Sequence, residues 1–356
     1  ILEGLDTDLS AAGEHACAVG EKILAELSRP YTLDEHERHT TVSIGITLFG
    51  DGAHDTPDDV MKRADLAMYQ SKDAGRGTLR LFDPAMRAAV QSRVALEREL
   101  RQALERDEIV PWYQPQVDAA GRLIGVEALA RWIQPQRGPI SPAQFIPVAE
   151  ESGLILSLGD RILEAACRDA ATWAQRPATA DLSVSVNVSA RQFHDAGFVD
   201  QVRATIARTG LAPERLWIEL TESLLIADID DTIRTMTTLR ADGIRFTLDD
   251  FGTGYSSLAY LKRLPLDQLK IDQGFVRDAL DDPNDDAIVR TIIVLAHTMG
   301  MEAVAEGVET EALRERLATH GCTAYQGYLY SHPLPADEFA ELATRYHETW
   351  LPFGKP

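Results

Sequence analysis

Cysteine is scarce in this chain: Cys17, Cys167 and Cys322 are its three thiols. None stands in a Cys-x-x-Cys pair, which argues against a disulfide framework or a zinc knuckle. No stretch reaches the roughly 18 consecutive apolar residues that a bilayer crossing needs. Cations are outnumbered, with 35 Lys and Arg against 56 Asp and Glu. The formal net charge of −21 argues against general binding to nucleic-acid polymers or anionic membranes. A polyanionic ligand would have to be held by local cations or bridging metal ions instead. The sequence opens on "ILEGLD", with neither Met nor a signal peptide. It reads as a fragment of something longer, cytoplasmic in itself, with any membrane or sensor segment upstream.

What is present suffices for folding. The 356 residues are enough for roughly two domains of about 150 residues, and 45% hydrophobic content can build a core. Up to Asp83 the pattern gives a helix from Ala11 to Leu27, a strand in "TTVSIGITLF", a helix through "DDVMKRADLAMYQSKDAG" and a short strand "TLRLF". These are too few elements for a self-sufficient core, so residues 1–83 read as the back half of an α/β domain. Residues 84–106 alternate charge with apolar residues at i, i+3, i+4 and i+7, predicting one amphipathic helix. That helix is either a rigid connector or the first helix of the next domain.

Residues 107–350 are rhythmic. Eight β-branched, apolar runs ("IVPWYQPQV", "LIGVEALARW", "LSVSVNVSA", "LWIELTE", "IRFTLDD", "QLKID", "MEAVAEGV" and "TAYQGYLYS") alternate with segments of helical length. Helices are expected at 157–175, 198–209, 229–242, 285–299 and 310–320. Strand–helix alternation on this scale matches a TIM-like (β/α)8 barrel. Too few residues around Gly121 separate the first two runs for a crossover helix. They should pair as a hairpin, giving the barrel an antiparallel first strand.

Polar residues sit near the C-terminal ends of these runs: Glu127, Asn187, Glu219, Asp249 and Asp250, Lys270 and Asp272, Glu306, and Gln326. In a barrel all those ends share one mouth. An Asp or Asn after a strand can equally be a helix cap. Glu127, Glu219 and Glu306 lie inside apolar runs, where a lone ionised carboxylate is costly to bury. Acids converging on one mouth would repel unless cations separated them, and oxygen ligands of this kind suit magnesium or manganese. Asp249 and Asp250 would point to opposite faces of an extended chain. Two neighbouring metals could share them only if the backbone turns, with Asp249 bridging. "FGTGYSS" offers that turn through Gly252 and Gly254, and such a loop could serve as a lid. His297 and His320 lie on helices without ligand spacing and read as structural or solvated.

"EALAR" (127–131), "NVS" (187–189), "ELTES" (219–223), "DDFGTGYSSL" (249–258), "KID" (270–272), "AEGVE" (305–309) and "QGYLYS" (326–331) together resemble the EAL-domain cyclic di-GMP phosphodiesterases. The likeness runs from about Leu96 to Phe339. "VSIGIT" and "RADLAMYQSKDAGRG" resemble the latter part of a GGDEF, diguanylate cyclase-like domain, but no GG[D/E]EF string is present. The resemblance implies hydrolysis of cyclic di-GMP to linear pGpG by a two-metal mechanism using Mg2+ or Mn2+. It implies that Glu127, Asn187, Glu219, Asp249, Asp250 and Glu306 bind the two ions, with Gln326 near the second. It sets Lys270 beside the attacking water and makes Glu306 a ligand, the general base, or both. Glu222 resembles the acid that braces the glycine loop, and Gln114, Arg131 and Asp272 are expected at the substrate. A homodimer through the EAL domain is the expected assembly. A receptor that binds cyclic di-GMP without cleaving it, or a barrel hydrolase for another phosphodiester, are the competing readings.

Overall fold

The computed structural model describes residues 1–33, 36–38, 40–50, 55–73, 75–222, 224, 228–252 and 258–349. The expected glycine-loop turn at Gly254 lies outside these. The chain divides into two compact units, Ile1–Leu96 and Glu97–Pro356.

In the first unit, Asp8 caps a helix at Leu9–Leu27 by accepting from the Ala11 amide. Two antiparallel strands follow, β1 (Tyr31–Leu33) and β2 (His36–Arg38). The other pair, β3 (Ile44–Ile46) and β4 (Leu79–Leu81), is parallel and connected through a helix at Pro57–Asp73. That helix lies directly on β3, because a Cβ at Gly45 would come within 2.2 Å of the Met68 amide nitrogen. Among the described residues of this unit, the apolar side chains that are fully buried are only Ala12, Ala16 and Ala67. Its hydrophobic stabilisation is correspondingly small.

One continuous helix occupies Pro84–Glu105, and the division between the units falls within it. Its last turns bury Leu100, Ala103 and Leu104.

The second unit is a closed barrel. Its strands are β5 (Ile109–Asp118), β6 (Leu123–Gln134), β7 (Gly138–Ile140), β8 (Ser183–Asn187), β9 (Leu216–Thr221), β10 (Arg245–Phe251), β11 (Gln268–Ile271), β12 (Glu302–Ala305) and β13 (Ala324–Gln326). The ring runs β5-β13-β12-β11-β10-β9-β8-β6 and closes through β5–β6 pairing, while β7 is appended to β6. β6 and β8 to β13 are mutually parallel. β5 is antiparallel to both its neighbours, as the short Gly121 connection requires. All eight sequence runs became ring strands. The ninth, β7, contains Gly and Pro and carries no strand pattern of its own.

Helices cover the outside at Ile155–Trp173, Phe198–Thr209, Ile229–Ala241, Pro283–Thr298, Glu311–Thr319 and Ala336–Thr349. Ile155–Trp173 turns Ile162, Leu163, Ala166, Cys167 and Ala170 inward at helical spacing. Thr310 and Asp228 cap their helices through side-chain oxygens, so the polar residues that stop one element start the next. His320 is structural: its Nε2 lies 2.6 Å from Asp286, which also accepts two bonds from Arg316. The helix Pro142–Ser152 went unread because Pro147 interrupts its pattern.

The interior of the barrel is not wholly apolar. Gln116, Ser185, Thr247 and Gln268 are buried there, with the Thr247 hydroxyl donating to Gln268 Oε1 at 3.2 Å. Each polar group so enclosed needs a partner, and that constraint becomes important at the mouth.

Candidate active site

Parallel strands carry their C-terminal ends to one rim, and the expected acids follow. Lys270 on β11 has no solvent exposure. Its ammonium lies 2.9 Å from Glu219, 3.1 Å from Glu127, 3.3 Å from Asp249 and 2.5 Å from Glu306. Four strands thus deliver four carboxylates to one cation. If all five groups were charged, the cluster would hold three uncompensated negative charges. Burial and mutual repulsion both oppose that state.

The proton affinities reflect this conflict. Burial pushes Glu306 up to about 8, and although Lys270 pulls it down, Asp249 and Glu127 raise it further. Asp250 rises to about 6 through burial and the charges of Asp249 and Asp272. Burial raises Glu219 well above the usual carboxylate range, with Glu127 adding to it, and raises Asp249 against the pull of Lys270. Glu127 falls below that range. Burial opposes its ionisation, but Lys270 and hydrogen bonds from Gln326, Lys270 and Asn187 outweigh burial. Burial alone would lower Lys270, yet the surrounding carboxylates hold it well above its ordinary value.

The donor set fits divalent cations. Glu127, Glu219 and Asp249 can bring one oxygen each within 4.8 Å of one another, and so can Asp249, Asp250 and Glu306. Asp249 belongs to both groups. Glu219 Oε1 is buried without a hydrogen-bond partner, a costly state for a carboxylate oxygen and an expected one for a ligand atom.

Gly252 takes a left-handed φ of 106°, as expected, but the turn that lets two adjacent aspartates serve one site begins two residues before it. Asp250 itself has φ 53°, and the β10–β11 register slips between Leu248 and Phe251. Asp is among the residues that tolerate this left-handed region. The bulge re-aims Asp250, whose amide donates to Asp249 Oδ1 at 3.0 Å. Glu222 follows β9 and accepts from the Gly252 amide at 2.8 Å, while its Oε2 is buried without a partner. The brace expected there thus reaches the first glycine of the loop.

Other expected residues have more particular settings. Asn187 donates to Glu127 Oε1 at 2.7 Å. Gln326 donates to Glu127 Oε2 at 2.6 Å, and its own Oε1 accepts from Gln116. Asp272 caps the helix Gln273–Asp278, accepting from the Gly274 amide at 2.9 Å. Gln114 lines a cavity of about 220 Å3 together with Glu127, Asp249, Glu306, Gln326 and Tyr328. Arg131, two alternations beyond Glu127 on β6, lines a second cavity of about 490 Å3. Ile146, Ile155, Leu158 and Ile162 give that cavity apolar walls, and Asn187 and Ser189 contribute polar edges. Leu129 borders both cavities. Its lining residues from helices Pro142–Ser152 and Ile155–Trp173 were not singled out from sequence, because apolar helix positions look alike whether they face a core or a cleft.

Comparison with known proteins agrees with this geometry. Residues 97–333 match the EAL domain, and residues 5–78 match the diguanylate cyclase GGDEF domain. The chain is 46% identical over 325 residues to the bifunctional diguanylate cyclase/cyclic di-GMP phosphodiesterase MucR of Pseudomonas aeruginosa, covering 91% of this chain and 47% of MucR. It is 37% identical over 329 residues to the cyclic di-GMP phosphodiesterase PdeR of Escherichia coli, covering 92% and 49%. The chain thus spans about half the length of these relatives. Among solved structures it resembles the PaMucR phosphodiesterase in complex with c-di-GMP, with a TM-score of 0.67 and 48% identity over 69% of this chain and 99% of that one. The EAL enzyme Bd1971, bound to cAMP and cyclic di-GMP, gives a TM-score of 0.70 at 32% identity, over 81% of this chain and 76% of that one. A closed barrel with one antiparallel strand, acids gathered at its mouth, and a match across 97–333 lead to one conclusion: the chain belongs to the EAL domain family.

Proposed function

We propose that residues 107–350 hydrolyse one phosphodiester bond of cyclic di-GMP, giving linear pGpG, with two Mg2+ or Mn2+ ions. The observation that carries this is Asp249, shared between a buried carboxylate group and a half-buried one that each suit one cation. Glu127, Glu219 and Asp249 would hold the first ion, assisted by Asn187. Asp249, Asp250 and Glu306 would hold the second. When bound, the ions supply charge that polarises the phosphoryl oxygens and makes water more acidic.

The chain's own residues do the rest. Lys270, fixed by four carboxylates, stays protonated and offsets charge gathering around the phosphate. Glu306 holds its proton more tightly than an ordinary carboxylate and faces the 220 Å3 cavity, which suits exchange of a proton with water there. Arg131, which lines the larger cavity, would take a substrate phosphate as a charge-assisted fork. The apolar 490 Å3 cavity beside it is of the size and lining that accept a flat heterocycle. Gln114 and Tyr328 line the acidic cavity and would contact the remainder of the nucleotide.

The deciding experiment incubates the purified chain with cyclic di-GMP and Mn2+, then separates the nucleotides by chromatography. Appearance of pGpG, abolished by EDTA, is the expected result. Intact cyclic di-GMP with measurable binding would establish a silent receptor instead.

Metal binding should depend on pH. A carboxyl whose pKa is raised holds its proton over a wider range, and a cation must displace it. Mn2+ affinity is therefore expected to climb from pH 6 through pH 8 as Asp250 and then Glu306 ionise, and to level off only about one pH unit higher. Calorimetry in two buffers of different ionisation enthalpy should show protons released on binding at pH 7. A pH-independent affinity with no proton release would remove Glu306 from the ligand set.

A further inference from the structure

We propose that Gln116, on the antiparallel strand β5, is a positioning residue that fixes which way the Gln326 amide faces and thereby holds Glu127 ready for a cation. The inference rests on the reading that Glu127 is a metal ligand.

Three glutamines and one glutamate form a continuous chain of hydrogen bonds. Gln116 Nε2 donates to Gln326 Oε1 at 2.9 Å. Gln326 Nε2 donates to Glu127 Oε2 at 2.6 Å and to Gln114 Oε1 at 3.0 Å. Gln114 Nε2 in turn reaches the Ser331 carbonyl at 3.3 Å. All four side chains are at most 8% exposed, so water is a poor substitute for any missing partner.

The direction of the chain is set at one end. An ionised carboxylate can only accept, so the Gln326 atom facing Glu127 must be its nitrogen. Its oxygen is then turned the opposite way and needs a donor, and Gln116 is that donor. Without it, that buried oxygen has no donor, and the cost of leaving it unpaired drives the amide to turn, although turning gives up both bonds it donates and would set oxygen against oxygen at Glu127. The same arrangement leaves the Gln326 oxygen committed to Gln116, so Gln326 serves Glu127 as a donor in place of reaching a cation itself.

Strand polarity makes this possible. In the antiparallel register, Gln116 stands opposite Gln326 across β5–β13, and Gln114 stands opposite Glu127 across β5–β6. Residues two apart share a face, so one strand reaches both neighbours from inside the barrel. The partner of Gln116 on β6 is Gly125, where a Cβ would lie 2.4 Å from Ser183 Oγ and 3.3 Å from Gln116 Oε1. The absence of a side chain there leaves the Gln116 amide its room.

The test uses the whole chain and measures Mn2+ affinity by calorimetry, with thermal melts alongside. Gln116→Met keeps the length and removes the donor; Gln116→Lys keeps a donor; Gln116→Glu replaces it with an acceptor. Met and Glu are expected to weaken Mn2+ binding about tenfold or more, the usual effect of losing a group that orients a metal ligand. Lys should stay within about threefold of the parent. Parent-like affinity in Gln116→Met, or an equal loss in Gln116→Lys and Gln116→Met, would overturn the proposal. If Gln116→Glu fails to fold, the Met and Lys pair still decides. A parent chain that takes up no Mn2+ at all would instead refute the metal reading of Glu127, and this proposal with it.

Discussion

Asp249→Asn is expected to lower the turnover of cyclic di-GMP by about three orders of magnitude, which corresponds to about 4 kcal/mol of lost transition-state stabilisation. Asp249 belongs to both carboxylate groups, so one substitution removes an anionic ligand from each. The fold should not suffer. Asp249 is mostly buried, and burial together with the Glu127 charge disfavours its ionised form, so a neutral amide of equal shape relieves a conflict. The metal-free melting temperature should therefore stay level or rise. Substantial residual turnover at saturating Mn2+ would contradict the shared-ligand assignment. A large fall in melting temperature would show instead that Asp249 is chiefly structural.

Lys270→Met should behave in the opposite way. Removing the ammonium leaves Glu127, Glu219, Asp249 and Glu306 facing one another with no compensating charge. Breaking a buried ion pair from one side costs about 3–5 kcal/mol. For a domain of this size, roughly 2–4 °C is lost per kcal/mol, so a fall of about 10 °C is expected in EDTA. The sign with pH follows from the raised carboxyls. At pH 5 Glu306 still holds its proton and repulsion is partly relieved; Lys270 pulls the Glu306 pKa down, so without it Glu306 ionises only at still higher pH and the loss should keep growing as pH rises. Mn2+ should recover part of the stability, because the ions supply the missing positive charge. Equal melting temperatures for the two chains in EDTA at pH 8.5 would show that the cluster is neutralised in some other way, and the account of Lys270 would fail.

The two substitutions separate roles that distance alone confuses. Both residues touch the same carboxylates, but one contributes to the excess of negative charge and the other offsets it. Measuring each variant with and without Mn2+ therefore tells the two roles apart. The Gln116 variants add a different kind of information, since they change no charge in the Met case and act only through orientation.

Much of the barrel was legible in the residues. Short apolar runs such as "LWIEL", or runs alternating apolar with small residues such as "LSVSV", mark the strands, and the ring uses all eight of them. Helices with a strong apolar stripe, such as Ile155–Trp173, stand within two residues of their expected limits. Where the signal failed there is a local cause. β7 is three residues long and includes Gly138 and Pro139, so pairing to β6 makes it a strand and its own composition does not. The β1–β2 pair is similarly short, and its residues carry no clear alternation.

The site was legible as chemistry before it was legible as geometry. An isolated Glu inside an apolar run signals an unusual environment, and Glu127, Glu219 and Glu306 were found that way. Gln116 carried no such signal, since a neutral amide alternating with apolar neighbours is what a half-exposed strand contains. Only the closure of the barrel, with β5 running against its neighbours, turned that face inward beside Gln326. The left-handed turn at Asp250 was hidden for a related reason: aspartate adopts many conformations, and the slip in β10–β11 register selects one of them.

The sequence alone therefore determined which residues could be ligands and that they would end up at one rim. Period and strand ends are local properties, and the barrel connects them in only one sense. Tertiary structure decided the rest: that four carboxylates converge on Lys270, that Asp249 is common to two groups, and that an antiparallel strand orients Gln326 from within. Those facts depend on ångström-scale distances between residues up to about 200 positions apart, as between Glu127 and Gln326. Such distances arise only when all eight strands close upon one another.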